Sequence, residues 1–241
     1  MEPRLGGLSD VDSVTDVFIR AMPDDPQWDY RFPGRHQYPE DHYKFTRMLI
    51  ERFLDPTYDD WVVVVREVSL EPGNGKKSIV SFAVYRRNPS NESRDPFKWV
   101  EEHGGSTRKD ANHEHFNAFW ERQVQAYNQY FGDMGNDQIH LQILATLPKF
   151  RCRGHGSSLC RWGMRVVLKD RLERISVMAS PMGSTLYSSL GFNTVDTFSI
   201  QVPGEEEKLD LKAMMCLRET CVRLLQQANT ADRGVWGVRD G

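Results

Sequence analysis

Cysteine is scarce in this chain, with four in 241 residues, at Cys152, Cys160, Cys216 and Cys221. No C-x-x-C spacing occurs, which argues against a disulfide framework and a zinc site; the thiols read as the reduced side chains of an intracellular protein. Long apolar runs are missing too. The clearest, Trp61 to Val65, falls far short of the ~20 residues a membrane helix needs. Met1-Glu2-Pro3-Arg4 leads into no apolar segment, so no secretory signal is expected and a cytoplasmic location is. An excess of one charge is also lacking. Lys+Arg number 31 against 34 Asp+Glu, a net charge of −3, and such a chain is a poor candidate for bulk electrostatic binding to nucleic acid.

What is present describes a folded protein. Hydrophobic residues make up 39% and charged residues 27%, a balance unlike that of disordered chains. At about 150 residues per domain the length fits one large domain or two small ones, with enough chain to bury a core unaided by staples.

Asp10 to Met22 carries Val11, Val14, Val17, Phe18 and Ala21 at helical spacing, with Ser9 as the expected N-cap and Pro23 and Pro26 ending the run. A second helix is expected from about Glu40 to Phe53. Trp61 to Val68 and Ser78 to Tyr85 read as a hairpin around the turn Glu71–Lys77. Arg86 to Asn112 is polar and proline-rich and reads as a long exposed excursion. Ala111 to Phe131 is helical in pattern, with Phe116, Phe119, Trp120 and Tyr127 roughly on one side. Then come a strand (Ile139–Leu147), a helix (Gly156–Lys169), a short strand (Ile175–Met178), a short helix (Met182–Leu190) capped by Gly191, and two strands (Phe192–Val202 and Leu209–Met215). The tail beyond about Thr230 is expected to fray. This order predicts one α/β domain with a mixed sheet.

The informative segment is His140-Leu-Gln-Ile-Leu-Ala-Thr-Leu-Pro-Lys-Phe-Arg-Cys-Arg-Gly-His-Gly-Ser-Ser-Leu159. A strand ends at a proline, and a basic loop with two glycines enters a helix. Helix N-termini present unpaired N–H groups and partial positive charge. Gly154 and Gly156 allow a phosphate close to the backbone, and Lys149, Arg151 and Arg153 add positive potential. The dinucleotide fingerprint fails because Leu159 stands where its third small residue belongs. The P-loop G-K-[ST] and the hydrolase elbow G-x-S-x-G are absent. What remains is R-x-x-G-x-G on Arg151, Gly154 and Gly156. On its own, that pattern also fits an ordinary strand-to-helix turn.

This segment resembles motif A of the GNAT superfamily of acetyl-CoA-dependent N-acetyltransferases, [QR]-x-x-G-x-[GA]. Ser180-Pro-Met-Gly-Ser-Thr-Leu-Tyr-Ser-Ser-Leu-Gly-Phe192 resembles motif B, which ends in L-Y-x-x-x-G-F. Leu144-Ala145-Thr146, Arg161-Trp162-Gly163 and Ala179-Ser180-Pro181 are most similar to fungal members. The match is strong over residues 139–195, weaker in the first helix, the hairpin and the last strands, and lacking over 86–131.

The resemblance implies a single GNAT-type domain over 1–230 with a flexible tail at 231–241. It implies a mixed sheet flanked by helices and splayed at the cofactor site, with the 86–131 insertion as a lid over the acceptor. It places the pantetheine arm on backbone groups of Leu144, Ala145 and Thr146. The pyrophosphate falls on those of Arg151, Cys152, Arg153, Gly154, His155, Gly156 and Ser157. Ser180 stands where many relatives carry Asn, and Gly183 where they carry Ala; a bond from the Ser180 hydroxyl to the arm is expected. Tyr187 takes the place of the general acid. His140 takes the place where some members carry a catalytic glutamate. The resemblance also implies a strand backbone N–H near Leu144 as the oxyanion donor, and strand alternation puts His140 on the same face as Gln142 and Leu144.

The resemblance further implies acetyl-CoA as co-substrate and a small-molecule primary amine as acceptor. No metal, nucleic acid or membrane partner is expected, and the protein would be a monomer or homodimer. A protein N-terminus or lysine as acceptor, and a non-catalytic CoA-binding module, are the alternatives. His113-Glu114-His115 lacks a metal-binding spacing on a helix and reads as solvated surface or lid. Cys152, near a helix N-terminus where thiol pKa values fall, reads as a bystander in the chemistry.

Overall fold

The apolar positions of the first expected helix do recur on one buried face: Val11, Val14, Val17, Phe18 and Ala21 are all buried in α1 (Val11–Ala21). The computed structural model describes residues 2–58, 60–69, 77–87 and 96–234. The expected hairpin turn therefore lies outside them apart from Lys77, as do residues 88–95 of the excursion and the last part of the tail, 235–241. Ser9 is not the cap of α1. It sits inside a short 3₁₀ turn, Leu8–Asp10, and Asp10 occupies the cap position.

A short helix unanticipated in the sequence comes next, α2 (Pro26–Arg31). The proline that ends the first helical run starts this one, because proline at the first helical position needs no N–H partner. Asp25 caps it, its side chain accepting from the Gln27 N–H at 3.2 Å. The chain continues through α3 (Pro39–Leu54), α4 (Pro96–Glu102) and α5 (His113–Phe131), then α6 (His155–Lys169), α7 (Pro181–Ser189) and α8 (Arg218–Gly234).

The strands are β1 (Arg4–Leu5), β2 (Trp61–Ser69), β3 (Lys77–Arg86), β4 (Gln138–Thr146), β5 (Arg174–Ala179), β6 (Asn193–Gln201) and β7 (Lys208–Leu217). They form one sheet in the order β1-β2-β3-β4-β5-β7-β6. Among the described residues only the β4–β5 pair is parallel.

The sheet is covered on both faces, which explains the unbroken Val62–Val65 run. Phe82 and Val84 pack with α1 and α3 around Val14, Phe18 and Ile50. Ala83 and Tyr85 point the other way, toward α6 and α8 around Leu159, Met164, Val167 and Cys221. A third cluster joins Phe119 and Phe131 of α5 to Phe198 and Leu211 of the last hairpin.

One expectation is corrected. The 86–112 stretch is not simply an exposed excursion: Val100, Arg108 and Asp110 are buried, and Asp110 accepts from Arg108 Nε and Nη2, both at 2.7 Å. α8 runs to Gly234, and the rest of the expected tail lies outside the described residues. Gly191 ends α7 in the left-handed region (φ +75°), as expected of a C-terminal cap.

Candidate active site

β4 and β5 pair only from Gln138–Leu141 to Arg174–Val177. Past Leu141 the two strands part, so Gln142–Thr146 keep β3 on one edge and, among the described residues, have no strand on the other. A bulge accompanies the split. Tyr85 pairs with Leu141 but Val84 pairs with Ile143, leaving Gln142 as the extra residue. A bulge adds one residue to its strand and re-aims the side chains beyond it.

That bulge overturns the simple alternation expected of β4. Leu141 and Leu144 both pack on the α6 side, whereas Ile143 and Ala145 face α1 and α3. His140 does not share a face with Leu144. It is buried against the rings of Tyr127 and Phe131, with Nδ1 2.9 Å from Ser176 Oγ. Burial, then the Arg86 cation, push its pKa down to about 3. Burial leaves this imidazole little drive to take up a proton, which makes it a weak general base.

The glycine loop leaves β4 through Pro148 and turns twice in the left-handed region, at Cys152 (φ +58°) and Gly154 (φ +80°). Gly154 then stands at the N-cap of α6. A Cβ on Gly156 would lie 3.2 Å from Leu186 and 3.7 Å from Leu144, across the mouth of the split. His155 Nδ1 is buried without a hydrogen-bond partner among the described residues. Open backbone at a helix start, an unpaired strand edge and an orphaned imidazole nitrogen fit a phosphate-bearing arm.

The Arg151 side chain does not add its charge freely to the loop. Its guanidinium bonds Thr146 O (3.2 Å), Ala21 O (2.7 Å) and Asp24 (2.5 Å), tying the loop to the end of α1. Arg153 and Lys149 both lie over the Phe150 ring. Ser180 Oγ accepts from the Gly183 N–H at 3.3 Å, so this hydroxyl serves as the cap of α7.

Behind the loop lies a cavity of about 440 Å³. One wall is Gln142–Thr146, the glycine loop, Ser180, Gly183 and Tyr187. The other comes from α1, α2, α3, α4 and α5, with Phe18, Trp28, Phe45, Phe97, Phe116 and Trp120 among its side chains. Phe116, Phe119 and Trp120 of the α5 stripe thus line the cavity, while Tyr127 packs against His140 and Phe131. Tyr187 is buried; burial first, then the Cys160 thiol and the Asp25 carboxylate, push its phenol well above the ordinary 10.0.

Asp25 is the functional candidate that sequence reasoning missed. Among the described residues it is the one carboxylate lining the cavity, it is buried, and it lies near enough to Tyr187 to be felt there. The signal is the Asp25-Pro26 pair, a capping residue before a helix-starting proline, which in the sequence reads as a helix stop. His113-Glu114-His115 also differs from expectation. His115 is buried, stacked on Tyr30, and within 2.6 Å of Glu205. Among the described residues no group of three or more His, Cys, Asp or Glu is arranged to hold a metal ion, and no helix is long and apolar enough to cross a membrane.

No protein-family model matches the chain. An acetyltransferase of Stachybotrys chartarum is 23% identical over 210 residues, covering 85% of each chain. Among solved structures, the Drosophila melanogaster polyamine N-acetyltransferase that forms N-acetylagmatine superposes with a TM-score of 0.58 at 12% identity, over 89% of this chain and 98% of the other. A Corynebacterium glutamicum histone acetyltransferase HPA2 and related acetyltransferase gives 0.56 at 20% identity, over 89% and 94%. A mosquito arylalkylamine N-acetyltransferase-like protein gives 0.53 at 18% identity, over 89% and 98%. The fold is that of the GNAT acetyltransferases. Both motifs lie in order along the split sheet, and the fold is the one shared by these acetyltransferases.

Proposed function

We propose that the protein transfers an acetyl group from acetyl-CoA to the primary amine of a small molecule. The observation that carries this reading is a single cavity. It runs from the glycine loop, past Tyr187, into an aromatic chamber walled by helices on several sides. A chamber of that kind suits a small apolar amine better than an extended peptide, which needs an open groove. Relatives of the same fold act on arylalkylamines and polyamines by their names.

Backbone N–H groups from Arg151 to Ser157 would hold the pyrophosphate, and the free edge of Gln142–Thr146 would pair with the pantetheine arm. When bound, acetyl-CoA supplies a thioester carbon for direct attack by the amine. The amine attacks only when neutral, and Asp25 is placed to take its proton. Tyr187 keeps its phenolic proton and is placed to donate it to the departing sulfur. His140 is neutral and packed, and shapes the chamber wall.

The test is thermal shift with CoA, then thiol release across a panel of amines. A shift together with release on small amines is the expected result. A shift with no release on any amine would instead favour a non-catalytic CoA-binding module, and release only with peptides would favour a protein acceptor.

A further inference from the structure

Three arginines line the cavity, and two have their charge answered, Arg151 by Asp24 and Arg108 by Asp110. Arg108 is locked onto Asp110 by two bonds of 2.7 Å, and Asp110 also meets His42 Nδ1 at 2.6 Å. Arg31, the last residue of α2, is equally buried at 7% exposure. Its guanidinium lies over the rings of Phe119 (4.1 Å), Phe32 (5.1 Å) and Trp28 (5.5 Å). Nε donates to Gln27 O at 3.1 Å. Among the described residues no carboxylate stands within ion-pair distance of it. Burial pulls its pKa down to about 9, with Asp25 opposing and Arg108 assisting, so it remains a cation at neutral pH.

Burying a charge without a counter-charge is costly. Three aromatic faces and one carbonyl offset part of that cost. They leave both terminal nitrogens of a planar fork without a partner among the described residues, in a site that admits small molecules. A fork of this kind pairs with a carboxylate through two parallel bonds.

The position of the fork narrows the ligand further. Arg31 Nε holds the carbonyl of Gln27, and Asp25 holds the N–H of the same residue at 3.2 Å. The cation and the carboxylate are thus anchored on one peptide residue without touching each other. A ligand with an ammonium group and a carboxylate a few bonds apart would bridge them, its amine toward Asp25 and its carboxylate toward Arg31. The surrounding rings would take an apolar side chain.

We infer that the acceptor is an amino acid with an apolar or aromatic side chain, its carboxylate held by the Arg31 fork. This deepens the acetyltransferase reading and rests on the chamber being the acceptor site. It also sets this chain apart from an enzyme for plain arylalkylamines, whose substrates offer nothing to such a cation.

The test compares two ligand pairs that differ only by the carboxylate. N-acetylphenylalanine and N-acetylphenethylamine are titrated by calorimetry into the protein saturated with CoA, and phenylalanine and phenethylamine are compared as acceptors. The wild-type protein should bind the carboxylate-bearing product at least tenfold tighter and show a matching preference in kcat/KM. Arg31→Gln should erase the preference by raising KM for phenylalanine at least tenfold more than for phenethylamine. Arg31→Lys, which keeps the charge but loses the fork, should fall between. Equal binding of the two products to the wild-type protein would overturn the inference without any variant, and so would a preference that survives Arg31→Gln. Failure of CoA itself to bind is a separate outcome, and it would remove the cofactor reading beneath the inference.

Discussion

Tyr187 packs its ring so closely over Gly183 that a Cβ on that glycine would lie 2.9 Å from Tyr187 Cε2. The glycine lets the ring settle one turn down the same helix. Gly183→Ala should therefore push the phenol off its position, and turnover should fall several-fold with acetyl-CoA affinity kept within a few-fold. Tyr187→Phe should lower turnover at least tenfold, in the range of about 10²–10⁴ that general acids contribute. In a double-mutant cycle Gly183→Ala should cost nothing further once the hydroxyl is gone. Additive losses would show that the glycine acts through something other than Tyr187.

Asp25→Asn tests the proton acceptor without removing the helix cap, because asparagine caps about as well as aspartate. Turnover at pH 7 should drop by about 10²–10⁴. It should recover as pH rises and more of the amine is neutral in solution. A variant with the wild-type pH–rate profile would take Asp25 out of the mechanism.

His140 predicts an acid-sensitive fold. Its folded pKa of about 3 lies below the ordinary 6.5, so below about pH 6.5 the unfolded chain binds the proton more readily than the folded one. The stability of neutral His140 is thus present above pH 6.5 and is lost progressively as pH falls toward 3. His155, also lowered by burial, acts in the same direction, and His115, raised by its bond to Glu205 despite burial, acts in the opposite one. His140→Gln should flatten the dependence of Tm on pH between about 6.5 and 4.5. It should leave the pH–rate profile near neutrality unchanged. An unchanged Tm slope would mean that His140 is accessible to protons in the folded state.

Both motifs could be read in the sequence because they are local: a strand end, a proline, glycines and a helix start all fall within one short stretch of chain. Most of the long helices and most strands were legible for the same reason, since periodicity reports a single buried face. Three features were not. The bulge at Gln142 arises from the pairing of β4 with β3, which no window of β4 alone contains. The helix α8 carries Cys221, Leu224 and Leu225 at helical spacing, but its polar composition hid the stripe that packs beside α6. Arg31 and Asp25 look like ordinary surface charges until α5 folds over α2 and encloses them. Charged residues drawn into a cavity by distant elements leave little local trace, and much of the acceptor chemistry lies there.

The most direct measurement is calorimetric titration of acetyl-CoA into the wild-type protein and into Gly156→Glu. Gly156 stands at the start of α6 where a Cβ already crowds Leu186 at 3.2 Å, and a glutamate would add bulk and negative charge where the pyrophosphate should lie. The expected result is one-site binding to the wild-type protein and none to Gly156→Glu, with the variant's Tm close to wild type. Undiminished binding by Gly156→Glu, or no binding by the wild-type protein, would contradict the cofactor site.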